Sequence, residues 1–160
     1  MPDQLNANIV GFDPEEIRTN EPTRSARLKW VVIVDSELPP GRATNAAICV
    51  SAATATSVPG LLGPPAVDTS GNHHPGLPWA GCTVVEATPE QLIDIRQKGL
   101  DSIGVFVADM PTQAQHTRVY DEYLAEVGTT AAEDAKYYAV SLVGPRNRID
   151  KIVKKLSLLP

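Results

Sequence analysis

Two short polar segments hold the residue types from which a ligand site could be assembled. The first is Pro40-Gly41-Arg42-Ala43-Thr44-Asn45. An apolar run over residues 28–34 leads into it, and an alanine-rich helix, roughly residues 43–54, leads out. The first N–H groups of a helix have no partner inside it and carry the positive end of its dipole. Gly41, Arg42, Thr44 and Asn45 are therefore candidates for holding a phosphate, a carboxylate or a developing oxyanion. A cation in a first helical turn is electrostatically disfavoured unless an anion visits, which singles out Arg42. A tight turn with a solvated arginine is the plainer alternative.

The second segment is Ala108-Asp109-Met110-Pro111-Thr112-Gln113-Ala114-Gln115-His116. It follows a third expected strand, so a parallel sheet brings it to the same edge as Gly41. Helical spacing predicts Thr112, His116 and Tyr120 on one face. Asp109 could orient or deprotonate a partner, Thr112 could position one, and His116 could exchange protons near neutral pH. These three are the catalytic candidates. The alternative is a capped helix start with Gln113 and His116 solvated.

Three other groups carry less. Arg148, Lys151 and Lys155 recur at i, i+3 and i+7, a stripe able to hold a nucleic-acid backbone or simply to face solvent. His73-His74 is adjacent to no third ligand at metal spacing, and no metal or cofactor is expected. Cys49 sits among apolar neighbours in the alanine-rich helix and reads as a core thiol.

The elements that must position these groups follow from periodicity. The run 28–34 is rich in β-branched residues and suits a strand covered on both faces. Residues 57–81 are rich in Pro and Gly, and Asp68-Thr69-Ser70-Gly71-Asn72 predicts a small hairpin within them. A second strand is expected over 82–87. Thr88, Pro89 and Gln91 then form a capping-box helix start that ends near Lys98-Gly99. A third strand is expected over 103–107, a helix over 112–127, a fourth strand over 137–143, and a last helix burying Ile149, Ile152, Val153 and Leu156. Alternation of this kind predicts a single α/β domain with a mostly parallel sheet and helices on both faces. Residues 1–27 read as an N-terminal arm, packed over the domain or partly disordered.

Composition narrows the classes. The chain has 160 residues with 21% charged and 42% hydrophobic, ordinary for one soluble domain. A net charge of −5 argues against broad, sequence-independent capture of nucleic acid. No apolar run approaches a membrane span, and the start shows no signal peptide, so a cytoplasmic protein is expected. Glycine-rich nucleotide loops and the HExxH zinc motif do not occur.

These motifs resemble a known group. Leu28-Lys29-Trp30-Val31-Val32-Ile33-Val34 with Pro40-Gly41-Arg42-Ala43-Thr44-Asn45-Ala46-Ala47 is similar to the opening strand, turn and helix of type II peptidyl-tRNA hydrolases. Residues 107–114 resemble their Asp-Ala-Gly-x-Thr-Gln segment, and 140–159 their closing strand and helix. Asp35-Ser36-Glu37-Leu38-Pro39-Pro40-Gly41, Gly63 with Asp68, His74-Pro75-Gly76, Arg118-Val119-Tyr120-Asp121-Glu122-Tyr123 and Gly144-Pro145-Arg146 bring the chain nearer to the DUF2000 family within that superfamily. The resemblance spans residues 28–160. It implies a four-stranded mixed sheet whose last strand runs against the others.

Where the hydrolases carry lysines this chain has Arg42 and Thr44, and Ile48 and Ser51 replace their Gln and His. Thr112 and Gln113 match directly, which adds Gln113 to the ligand-contact candidates. Two functions follow as expectations. One is a hydrolase or acyl-transfer protein acting on aminoacyl or peptidyl esters at the acceptor end of tRNA. The other is a non-catalytic module that binds a small anionic ligand or a protein partner. A homodimer is compatible with either.

Overall fold

The computed structural model describes residues 9–160; the part of the expected arm formed by residues 1–8 lies outside them. The first strand, β1 (Leu28–Asp35), is buried almost throughout, as its run of β-branched residues requires. It leads into α1 (Pro40–Ser57), which buries Ala43, Ala46, Val50 and Thr54 at helical spacing. The Pro/Gly-rich stretch holds the expected hairpin, β2 (Ala66–Val67) with β3 (His73–His74). Asp68 closes its turn by accepting from the backbone N–H groups of Ser70 and Asn72. Next come β4 (Thr83–Ala87) and α2 (Pro89–Leu100). The expected capping box is present: Gln91 N–H donates to Thr88 Oγ1 at 3.2 Å, and Thr88 N–H donates to Gln91 Oε1 at 2.9 Å. The chain continues through β5 (Phe106–Pro111), α3 (Tyr120–Gly128), β6 (Tyr137–Pro145), α4 (Arg146–Val153) and β7 (Ser157–Leu158).

Among the described residues the main sheet has five strands in the order β5-β6-β1-β4-β7. Of these five, β1 and β4 pair in parallel; β1 with β6, β5 with β6, and β4 with β7 are antiparallel. The expectation of four mostly parallel strands is thus corrected on both counts. β6 inserts between β1 and β5, so two strands of like direction are not neighbours. The chain after α4 adds β7 to the far edge. What stands is a single α/β domain with a mixed sheet and helices on both faces.

One face packs Trp30, Val32, Val34 and Val143 against α1; the other packs Val31, Ile33, Val140 and Leu142 against α2 and α4. Gly99 stands one residue before the end of α2, at the expected stop, and also serves packing. A Cβ there would come within 2.7 Å of Leu142 Cδ2, so the glycine permits a close helix–sheet approach. Cys49 is exposed rather than in the core, because the inward stripe of α1 passes through Ala46 and Val50 on either side of it.

Beneath α1 a buried polar chain is fully satisfied. Trp30 Nε1–H donates to Ser141 Oγ at 2.8 Å, and Thr54 Oγ1 donates to Val50 O at 2.7 Å. Thr54 has then used its proton, so the 2.7 Å contact between the two hydroxyls is donated by Ser141. Ser141→Ala strands the Trp30 donor and is expected to lower unfolding free energy by about 1–3 kcal/mol, read from urea denaturation.

Residues 9–27 are tied to the domain by Phe12, which is 5% exposed in the core, and by a forked ion pair between Arg27 and Glu16. The Arg27 side-chain hydrogen bond holds the Glu16 carboxyl at about 2, below its ordinary 4.5. A depressed carboxyl pKa stabilises the folded state above the ordinary value and ceases to do so as pH falls toward 2. The side chains are 28% and 54% exposed, so screening limits the pair to about 1 kcal/mol. Glu16→Gln is expected to lower the urea midpoint at pH 6, with the difference from the parent vanishing near pH 2.

Candidate functional site

β1, β4 and β5 point the same way, so their C-terminal ends share one sheet edge. At the end of β1, buried Asp35 accepts from Glu37 N–H at 2.8 Å and shapes the turn that feeds α1. No acidic side chain occupies the first turn of α1. At the end of β5, Thr112–Gln115 forms one tight 3-10 turn. This turn lies beside the start of α1, and the two are joined by a single amide. Gln115 Nε2 donates to Arg42 O at 2.9 Å and to Asn45 Oδ1 at 3.1 Å, while its Oε1 accepts from Arg42 Nε at 2.9 Å.

Tyr138, near the start of β6, completes the group. Its ring lies under the Arg42 guanidinium, 4.9 Å from ring centroid to Cζ. Its hydroxyl is 2.7 Å from His116 Nε2, and the two rings meet edge to face at 5.7 Å. Arg42 is thus fixed by an amide on one side and a π face on another. Among the described residues, no carboxylate lies within ion-pair distance of it, and neither terminal guanidinium nitrogen has a protein hydrogen bond. A held guanidinium with free donors, beside the positive end of a helix, is chemically suited to receive an anion. The neighbouring imidazole and phenol can pass a proton to or from whatever sits there.

The structure brings together Arg42, Asn45 and His116 from the sequence candidates. Gly41 adjoins them, and a Cβ there would meet nothing within 4 Å, so the helix start is open. Thr44 is turned into its own helix, its hydroxyl donating to Pro40 O at 2.8 Å. Thr112 is held through its backbone N–H to Lys136 O at 3.0 Å. Gln113 donates from Nε2 to Thr130 Oγ1 at 3.0 Å, on the segment following α3. The expected helix over 112–127 is broken, because the chain turns at His116 and is extended at Val119 before α3 begins. Tyr120 therefore does not stack above His116.

Asp109 is absent from this group. The strand expected to end at Val107 continues to Pro111, so Asp109 is a strand residue opposite Val140. Alternation along the strand turns it to the α2 face. There its Oδ2 accepts from Arg96 Nε at 2.7 Å, and Arg96 lies 4.7 Å over the Tyr137 ring. Arg148, Lys151 and Lys155 are likewise on that face, along a cleft between α2 and α4. Gln115 and Tyr138 were missed as site residues. The Tyr137-Tyr138 pair was the signal: on a strand one of two adjacent tyrosines must face each side.

Among the described residues, no helix is long and apolar enough to cross a membrane. No curated protein matches the chain. A solved structure of a protein of unknown function, Atu0240 from Agrobacterium tumefaciens strain C58, superposes with a TM-score of 0.73 at 22% identity, covering 84% of this chain and 98% of that one. At that identity the likeness concerns the fold. Residues 28–160, from the buried strand that feeds Arg42 to the end of the chain, match the family described as protein of unknown function (DUF2000), and the chain belongs to that family.

Proposed function

We propose that this protein binds a small anionic ligand, a phosphate or carboxylate compound, at the mouth between α1 and the Thr112–Gln115 turn. One observation carries the reading: Arg42 is braced by Gln115 and Tyr138 while its terminal donors have no protein partner among the described residues. A solvated surface arginine has no need of such bracing. Asp109, the carboxylate that would serve as a base in ester hydrolysis, is held by Arg96 on the other side of the sheet. Binding is therefore better supported than turnover. The test is calorimetric titration of the full chain with inorganic phosphate and with acetate, in parent and Arg42→Ala protein. Saturable binding that the substitution leaves unchanged would refute the placement.

Ester hydrolysis at the acceptor end of tRNA, with a fold like that of the type II peptidyl-tRNA hydrolases and action in the cytoplasm, is the second reading. It is favoured by the His116–Tyr138 hydrogen bond next to Arg42, a proton-transfer pair beside an anion seat. Incubation with N-acylated aminoacyl-tRNA decides it. Release of the acyl-amino acid that disappears in His116→Ala supports hydrolysis, and intact substrate removes it.

A further inference from the structure

A cleft lies on the face opposite Arg42. It is about 800 Å³ in volume and runs between α2 and α4. Its floor is apolar: Ile95 is buried, Ile152 and Leu156 are half-buried, and Ile103 at one end is 76% exposed. Its walls carry Lys98, Arg148, Lys151, Lys154 and Lys155 against the carboxylates of Asp94 and Asp101. Lys98 is paired with Asp94 at 2.7 Å, and Asp101 accepts from Gln97 Nε2 at 2.9 Å. Among the described residues Lys151, Lys154 and Lys155 have no carboxylate within ion-pair distance. Arg148 donates to Ile103 O, which ties α4 to the loop after α2 and closes that end.

The charge of this cleft is opposite in sign to that of the whole chain, which is −5. Unpaired like charges placed side by side repel, and an anion between them relieves that. The cations lie on two successive stretches, Arg148 and Lys151 on α4 and Lys154 and Lys155 on the turn after it, so the cleft offers charge for more than one phosphate. A concave site with an apolar floor and convergent charged groups has the form of a small-molecule pocket, within the usual several-hundred-Å³ range. A nucleic-acid backbone is held along an exposed basic face, and it would leave this floor uncovered.

We propose that the cleft between α2 and α4 binds a small molecule with two or more phosphates on an apolar body, of the nucleoside-diphosphate class. Lys151, Lys154 and Lys155 meet the phosphates, and Ile95, Ile103 and Ile152 meet the apolar part. The site is separate from the Arg42 mouth and does not depend on it.

Titration of the isotope-labelled full chain with ADP, followed through backbone amide shifts, is the test, with inorganic pyrophosphate and a short single-stranded oligoadenylate as further probes. ADP should shift amides along α2 and α4 and bind at least about fivefold more tightly than pyrophosphate, since the floor adds apolar contact. The double variant Lys151→Glu, Lys154→Glu should weaken ADP at least about tenfold, and Arg42→Ala should leave it within about twofold. The pair Lys98→Ala, Lys155→Ala, which removes only exposed side chains, should act in the same direction should the first variant lose its fold. Four results would each overturn the proposal: no amide shifts along α2 and α4, equal affinity for ADP and pyrophosphate, indifference to both double variants, or oligoadenylate binding more than about tenfold tighter than ADP. The last would make the cleft a nucleic-acid face.

Discussion

Phe12→Ala is expected to lower the unfolding free energy by about 3–5 kcal/mol, the range for removing a buried aromatic ring. Phe12 is 5% exposed, and its ring lies 4.7 Å from that of Trp79, tilted by 58°. The contact joins three distant stretches of chain. Phe12 N–H donates to Pro59 O at 2.9 Å, and Trp79 Nε1–H donates to Gly60 O at 2.8 Å. Gly60 has φ +76°, and a Cβ on it would lie 2.7 Å from Phe12 O. Only glycine meets both demands, the left-handed backbone and the close approach. Against a total stability of about 5–15 kcal/mol for a domain of this kind, the loss is large. Urea unfolding followed by Trp fluorescence and by far-UV circular dichroism measures it. A change under about 1 kcal/mol would mean that residues 9–27 lie on the domain without sharing its core. A chain begun at Leu28 lacks Phe12, the Glu16–Arg27 pair and buried Ala26, and is expected to show a larger deficit.

Arg42→Ala is expected to weaken phosphate binding at the α1 mouth by about tenfold or more. Hydrogen bonds to a charged group contribute about 1.5–3 kcal/mol, and 1.4 kcal/mol is already tenfold. Arg42→Lys should recover only part of this, since an ammonium cannot take the Gln115 amide and the Tyr138 ring in the same planar arrangement. Tyr138→Phe keeps the π face and removes the hydroxyl that meets His116. It should leave phosphate affinity within about twofold, while any hydrolysis that depends on the His116 proton should fall. Asp109→Asn should leave binding untouched, because its carboxylate faces Arg96 across the sheet from the mouth. Equal effects of Asp109→Asn and Arg42→Ala would show that both substitutions act by disturbing the fold. The calorimetric titrations that test the proposed function separate these outcomes, with circular dichroism to check folding.

The sequence by itself determined β1, the capped start of α2 and the turn between β2 and β3. The β-branched run of β1 could be little else than a strand covered on both sides. Thr88, Pro89 and Gln91 carry their own capping chemistry, and Asp68 with Asn72 carries its own turn. The Arg42 segment was legible because a cation in a first helical turn violates a local electrostatic rule. Tertiary structure alone decided which polar groups meet. Whether Asp109 faces Arg42 depends on strand parity, and one extra stretch of β5 reversed the side it takes. Gln115 and Tyr138 join Arg42 only because β6 lies between β1 and β5, a pairing made by residues more than a hundred positions apart. Local spacing holds no record of such long-range register, so the site's two braces, and the cleft formed where α4 returns beside α2, could be found only in three dimensions.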